Sequence, residues 1–357
     1  MDVRPIRRIS CDFPEQKMWN LFLILENETT VRRFLTEKYR RMGLEHPEKA
    51  SFHTAHPLIY YIKQGRDIYR SAGHSGVFIR PLLSYYGMMN LAKAWMLSMD
   101  PEYPRNTAVL RHGVSTRKRK RRGFSFLSDE VRVQRNGLFA ELARCVQVPP
   151  LNGESWAMRD LFSILPELQD GYRQLFRKAT LFPVVVPDPL SKRNLREMPF
   201  FLEESILDTF HRTPRSLVEY LNRNRSDPEV FFSCGDNPVT GEKLCLSWHH
   251  PRTDHVDSWE KGFSHPLFRE DGKGGYYLFS GNNRLLSALP EALVHYLILF
   301  ALSMLCRYET PLWGEMIYGL AAEDMVLIQE FLDVSQRKFP NMILNHLFEE
   351  KLIFTSS

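Results

Sequence analysis

Arg105, Asn106 and His112 are the residues of this 357-residue chain whose types and spacing best suit chemistry at a phosphate. An imidazole titrates near neutrality, a guanidinium keeps its charge, and an amide polarises or positions a neighbouring group. Metal-free RNA cleavage asks for that combination. One group moves the 2′-hydroxyl or leaving-group proton, and a fixed cation steadies the phosphate as charge develops. A symmetric dimer would bring two copies of the set together. A plainer assignment fits the same residues: His112 serves a turn before Gly113, and Arg105 pairs with a surface acid.

Immediately downstream stand six consecutive cations, Arg117, Lys118, Arg119, Lys120, Arg121 and Arg122. The net charge is +5, so without this block the rest of the chain is near neutral. Basicity gathered in one place points to an acidic partner at one surface. Phe124 and Phe126 lie beside it, and stacking with phosphate attraction is the usual combination for single-stranded nucleic acid. A solvated loop or a nuclear-localisation signal would have the same composition.

Other signatures fail. Five residues separate Gly235 from Gly241 where a phosphate loop has four, and Glu242 stands where its lysine should follow. Gly73-His-Ser-Gly76 lacks the spacing of a nucleophile elbow. Cys234, Cys245, His249, His250 and His255 could be imagined around zinc, but they lack the short paired spacing of zinc knuckles. A hairpin with incidental His and Cys residues is the simpler assignment. No metal or cofactor is expected.

With 43% apolar, 25% charged and 12% aromatic residues, the chain has the balance of a globular protein with a sizeable core. Its five scattered cysteines, with no Cys-x-x-Cys, fit a reducing compartment. The richest apolar run, Ala292 to Cys306, is shorter than the roughly 20 residues of a membrane span and contains His295. A buried helix, no membrane and a cytoplasmic location are the expectations.

The elements that must hold Arg105 and His112 begin with a helix over about 79–99. Pro81 falls in its first turn, and apolar residues from Leu82 through Met99 cover enough of it to touch several neighbours. Asp100-Pro101 and Tyr103-Pro104 stop it. Upstream, Asn27 or Thr29 can cap a helix over 31–42 ended by Gly43, and a second helical region spans about 51–71 around Pro57. Residues 1–27 read as an extended lead-in in which Trp19 to Leu25 can pack as a short strand or helix.

After the basic block, 129–134 alternates like a strand before a turn at Asn136-Gly137, and helical pieces follow at about 138–146, 156–165 and 166–176. Residues 184–186 make at best an edge strand between prolines. Strands are expected at 229–233, 243–248 and 275–280, with a helix capped by Thr213 and Pro214 among them. Helices return at 290–308, 321–338 and 340–351. The class is therefore mainly α (α+β), divided as a helical bundle over 1–180 and a mixed region with a C-terminal helical segment over 181–357. The last helices could pack back on the first bundle.

Across most of its length the chain resembles the YaaC-like proteins. The resemblance is carried by Pro57-Leu-Ile-Tyr-Tyr61, Tyr85-Tyr-Gly-Met88, Asp100-Pro-Glu-Tyr-Pro104, His112-Gly-Val-Ser-Thr-Arg-Lys-Arg119 and Gln134-Arg-Asn-Gly-Leu-Phe139. It implies no settled activity.

More distantly, over about residues 28–175, Tyr85-Tyr86 in a helix followed after a loop by His112-Gly113 is similar to HEPN domains. That resemblance implies a helical bundle that often dimerises and, in many members, a metal-independent endoribonuclease. The HEPN motif is an Arg, a polar residue and, after a short spacing, a His; Arg105, Asn106 and His112 meet it at its longest spacing, here on a Pro-broken loop. The expected roles are His112 as acid/base, Arg105 on the phosphate, Asn106 polarising or positioning, and 117–122 along the RNA backbone. A non-catalytic HEPN-like module binding nucleotide, nucleic acid or protein is the alternative.

Overall fold

The computed structural model describes residues 6–116, 123–186, 197–225, 228, 230–249, 265–281, 283–319 and 323–355. Of the described residues 56% are helix and 16% strand, mainly α with a strand-containing middle. It opens with β1 (Ile6–Ser10), α1 (Pro14–Ile24), α2 (Glu28–Arg41), α3 (Pro47–His74) and α4 (Arg80–Met99). Then come β2 (Val114–Thr116), β3 (Glu130–Val133), α5 (Leu138–Cys145), β4 (Ser155–Ala157), α6 (Met158–Phe162) and α7 (Gln169–Phe176). The middle holds β5 (Leu181–Val184), β6 (Glu197–Glu203), α8 (Ile206–Phe210), α9 (Pro214–Arg223), β7 (Phe231–Ser233) and β8 (Val239–Thr240). It continues through β9 (Lys243–His249), β10 (Phe268–Glu270), β11 (Tyr276–Phe279) and α10 (Arg284–Ala288). The chain closes with α11 (Glu291–Tyr308), α12 (Thr310–Tyr318), α13 (Asp324–Phe348) and β12 (Lys351–Thr355), which pairs with β1.

Two compact units emerge. The helical unit comprises Ser10–Leu161, Pro290–Glu349 and Phe354–Ser357, so the late helices join the early ones. Helix α4 is its axis, buried on nearly every side from Tyr85 to Leu97 because polar residues are too few to make a solvent face. Helix α3 approaches it closely at two glycines. A Cβ on Gly65 would come 2.9 Å from Leu91, and one on Gly87 would come 2.8 Å from Tyr69. Helix α11 is long and apolar enough in composition to cross a membrane, and most of it is buried inside the unit as a core helix. The Asn27 side chain caps α2 by accepting from the Thr30 N–H at 3.0 Å. A small sheet in the order β2-β3-β4 completes the unit, with Val114 opposite Val133 and Val131 opposite Trp156.

The strand-containing unit comprises Met1–Ile9, Phe162–Leu289 and Glu350–Ile353. Along β9, Leu244, Leu246 and Trp248 alternate into a core shared with Phe200, Leu202 and Phe232. Strands β6 and β7 flank β9, and β5 lies at the edge of the sheet β10-β11-β5, as its prolines require. Thr213 and Ser216 form a reciprocal capping box at the start of α9.

Of the two forms open to the lead-in around Trp19 to Leu25, the helix is found: α1, started by Pro14 in its first turn. Three local expectations are corrected. Trp156 belongs to β4, paired with Val131, and not to a helix. Helix α12 forms where none was expected. Residues 324–348 make one helix with Pro340 inside it, because Phe339, Pro340, Ile343 and Leu344 are all buried and their packing outweighs the missing backbone donor.

Candidate functional site

The stop after α4 places Arg105 and Asn106. Arg105 Nε donates to the Asp100 carboxylate at 2.9 Å, and Arg144 lies 3.5 Å from the same oxygen. Asp100 also accepts the Glu102 N–H, so this carboxylate organises the turn and offsets the Arg105 charge. The Asn106 side chain accepts from the Ala108 N–H at 3.0 Å and so caps the 3-10 turn Thr107–Leu110.

His112 sits in a different set of contacts. Its backbone is clamped between β2 and the start of α5: the Arg111 carbonyl accepts from Leu138 N–H at 2.7 Å and the Gly113 carbonyl from Gln134 N–H at 2.9 Å. This pairing needs two glycines. Gly113 and Gly137 both have positive φ, and a Cβ on Gly137 would fall 2.4 Å from Gly113 Cα and 2.8 Å from the Arg111 carbonyl oxygen. The imidazole packs 5.5 Å from the rings of Tyr85 and Phe300.

Three hydrogen bonds then set its protons. Tyr296 OH donates to the His112 carbonyl at 2.8 Å, Tyr85 OH lies 3.1 Å from Tyr296 OH, and His112 Nδ1 lies 2.8 Å from Tyr85 OH. Tyr296 has one hydroxyl proton, and the carbonyl takes it. Tyr85 must therefore donate to the Tyr296 oxygen, which leaves its own oxygen to accept from His112 Nδ1–H. This hydrogen count assigns the Nδ1–H tautomer, and Nε2 carries the lone pair. Burial pulls the His112 pKa below its ordinary value, and the charges of Arg307 and Lys93 lower it further. At neutral pH the ring is a neutral base.

The sequence-derived set is thus split. Among the described residues, no hydrogen bond, ion pair or ring contact joins Arg105 or Asn106 to His112. The basic block of Arg117, Lys118, Arg119, Lys120, Arg121 and Arg122 lies outside the described residues. Tyr296, Lys93 and Arg307 were missed in sequence. Lys93 reads as one polar residue on an apolar helix, and α11 lies too far along the chain for spacing to relate it to His112.

Of the imagined zinc set, Cys234 packs beside the sheet core, and His249 Nε2 lies 2.7 Å from Ser233 Oγ with its ring stacked on Phe231. Cys245 stands opposite Phe201, and His250 and His255 lie outside the described residues. Among the described residues, no group of three or more His, Cys, Asp or Glu is placed to hold a metal ion.

The profile of one family, described as YaaC-like Protein, matches residues 23–347, and the chain belongs to that family. Searches of curated proteins and of solved structures each return no match.

Proposed function

We propose that this YaaC-like protein binds RNA and cleaves it without a metal ion, with His112 Nε2 as proton acceptor. One observation carries the reading: the Tyr296–Tyr85–His112 chain spends the protons of both phenols and leaves Nε2 basic on a fixed ring. In the reaction, Nε2 takes the 2′-hydroxyl proton and the 2′ oxygen forms a bond to phosphorus. The bond from phosphorus to the 5′ oxygen breaks, and the imidazolium returns its proton to that oxygen. A 2′,3′-cyclic phosphate and a 5′-hydroxyl are the products. The helical unit would then be HEPN-like and would dimerise, with 117–122 along the RNA backbone.

The Asp100–Arg105 pair favours a second reading. Arg105 would have to leave Asp100 to steady a phosphate, and a protein in which it stays there is a binding module. The two separate in one experiment: purified protein, a labelled single-stranded oligoribonucleotide and excess chelator, with binding and cleavage followed together. Cleavage lost in His112→Asn supports the first reading. Binding with no cleavage by the wild-type chain leaves only the second.

A further inference from the structure

The strand-containing unit carries a group of reactive side chains of its own, on the face of the sheet β6-β9-β7 turned away from the core. Leu244, Leu246 and Trp248 of β9 point inward, so Cys245, Ser247 and His249 point outward. On the flanking strands Phe200, Leu202 and Phe232 point inward. That leaves Glu197, Pro199 and Phe201 of β6, and Phe231 and Ser233 of β7, on the outer face. The register sets these residues in rows. Glu197, His249 and Phe231 lie side by side across the strands, and Pro199, Ser247 and Ser233 form the next row.

Ser233 and His249 are diagonal neighbours in this array, and Ser233 Oγ lies 2.7 Å from His249 Nε2. The imidazole is held flat against Phe231, with ring centroids 4.3 Å apart and planes 6° from parallel. The Glu197 carboxylate lies 3.9 Å from the same Nε2, and the His249 side chain is 20% exposed, so a reactant can reach it. A hydroxyl within reach of an oriented imidazole is the arrangement of a serine nucleophile on its general base. With the ring proton on Nδ1, Ser233 donates to Nε2. Once Nε2 takes that proton the ring is a cation, and Glu197 stands beside it. Ser247 faces Ser233 directly across the strands, with Cβ atoms about 5 Å apart. Its hydroxyl can donate to an oxygen on a carbon bound to Ser233 Oγ.

We infer that Ser233, His249 and Ser247 form a catalytic site that hydrolyses neutral carboxylic esters. Nε2 takes the Ser233 proton as Oγ bonds to the ester carbon, and Ser247 donates to the carbonyl oxygen as it gains charge. The bond from that carbon to the leaving oxygen then breaks, and the imidazolium protonates the departing alcohol. Water repeats the sequence on the acyl-serine: it gives a proton to Nε2 as it bonds to the acyl carbon, the bond to Oγ breaks, and Ser233 recovers its proton. Glu197 on the same face disfavours anionic substrates, and Pro199 and Phe201 offer apolar contact to an acyl chain. This activity is separate from the RNA reading and resides in the other unit.

The test uses the full chain with two probes, a fluorophosphonate that labels activated serines and p-nitrophenyl acetate, whose turnover is followed by release of p-nitrophenolate. Mass spectrometry should place the fluorophosphonate on Ser233. Ser233→Ala should abolish both labelling and ester turnover, and His249→Gln should slow both by more than about a hundredfold, the loss of a general base. Ser247→Ala should slow turnover by about a hundredfold, the loss of one donor to the oxyanion. Glu197 acts through the imidazole as a positioning residue. Glu197→Gln should slow turnover by about fivefold without moving thermal unfolding, and Glu197→Asp should recover part of the loss. Circular dichroism checks that each variant is folded. Wild-type protein that takes no label on Ser233 or turns over no ester would overturn the assignment, as would a folded His249→Gln that labels and turns over like wild type.

Discussion

The tautomer of His112 depends on two hydroxyl protons. Tyr85→Phe removes the acceptor of Nδ1–H and frees the ring to place its proton on either nitrogen. Unfolding in denaturant should show a loss of about 1 kcal/mol, one hydrogen bond, and RNA cleavage should fall much further than stability. Equal cleavage by a folded Tyr85→Phe would show that the phenol does not orient the imidazole. A second histidine predicts acid sensitivity. His265 is buried, accepts from the Leu267 N–H at Nδ1 and meets the Leu221 carbonyl at Nε2, and burial pushes its pKa down to about 4. The unfolded chain therefore takes up this proton first as pH falls. Stability should drop between the ordinary histidine value and about pH 4, by about 3 kcal/mol in all. Denaturant midpoints measured against pH should show this slope, and His265→Gln should flatten it; an unchanged slope would assign it to other groups. Residue chemistry alone singled out His112 and the segment containing Tyr85. It also offered the pairing of Arg105 with a surface acid, which is the contact with Asp100, while the phosphate-steadying role for Arg105 came with the HEPN resemblance.

Elements converge on the site through glycines and long helices. Gly137→Ala should be among the costliest single-methyl changes in the helical unit, since its Cβ would overlap the backbone of Gly113 and φ is positive there. A loss of more than about 2 kcal/mol together with displaced His112 ring signals is the expected outcome. A stable variant with unmoved signals would mean that this turn does not set the ring. Gly87→Ala should cost about 1–3 kcal/mol by forcing Tyr69 away from α4. Helices α11 and α13 are tied by Lys338 and His295 around Glu291. Burial raises the Glu291 pKa, but these partners outweigh it and hold the carboxyl down at about 2. Lys338→Met should destabilise by about 3–5 kcal/mol, because it strands a buried carboxylate. Thermal unfolding that is unaffected would contradict that placement. The Asn27 cap, Pro81 and the Thr213 start were legible because capping and proline rules are local. Pro340 inside α13 and Trp156 in β4 were not, because burial among distant residues decided both.

At the scale of the whole chain, the sequence order helical, mixed, helical corresponds to two interleaved units, and the family match spans both. The return of α11 to the first helices supplies Tyr296 and Phe300, which contact His112. No local pattern predicts that return; the wide apolar coverage of α4 and α11 shows only that each needs several neighbours. The most direct test uses the full chain with a single-stranded oligoribonucleotide in excess chelator, and follows formation of the 2′,3′-cyclic phosphate. The predicted result is cleavage by wild-type protein and none by a folded His112→Asn that still binds. Intact RNA with the wild-type chain, or cleavage that persists in His112→Asn, would contradict the role assigned to His112.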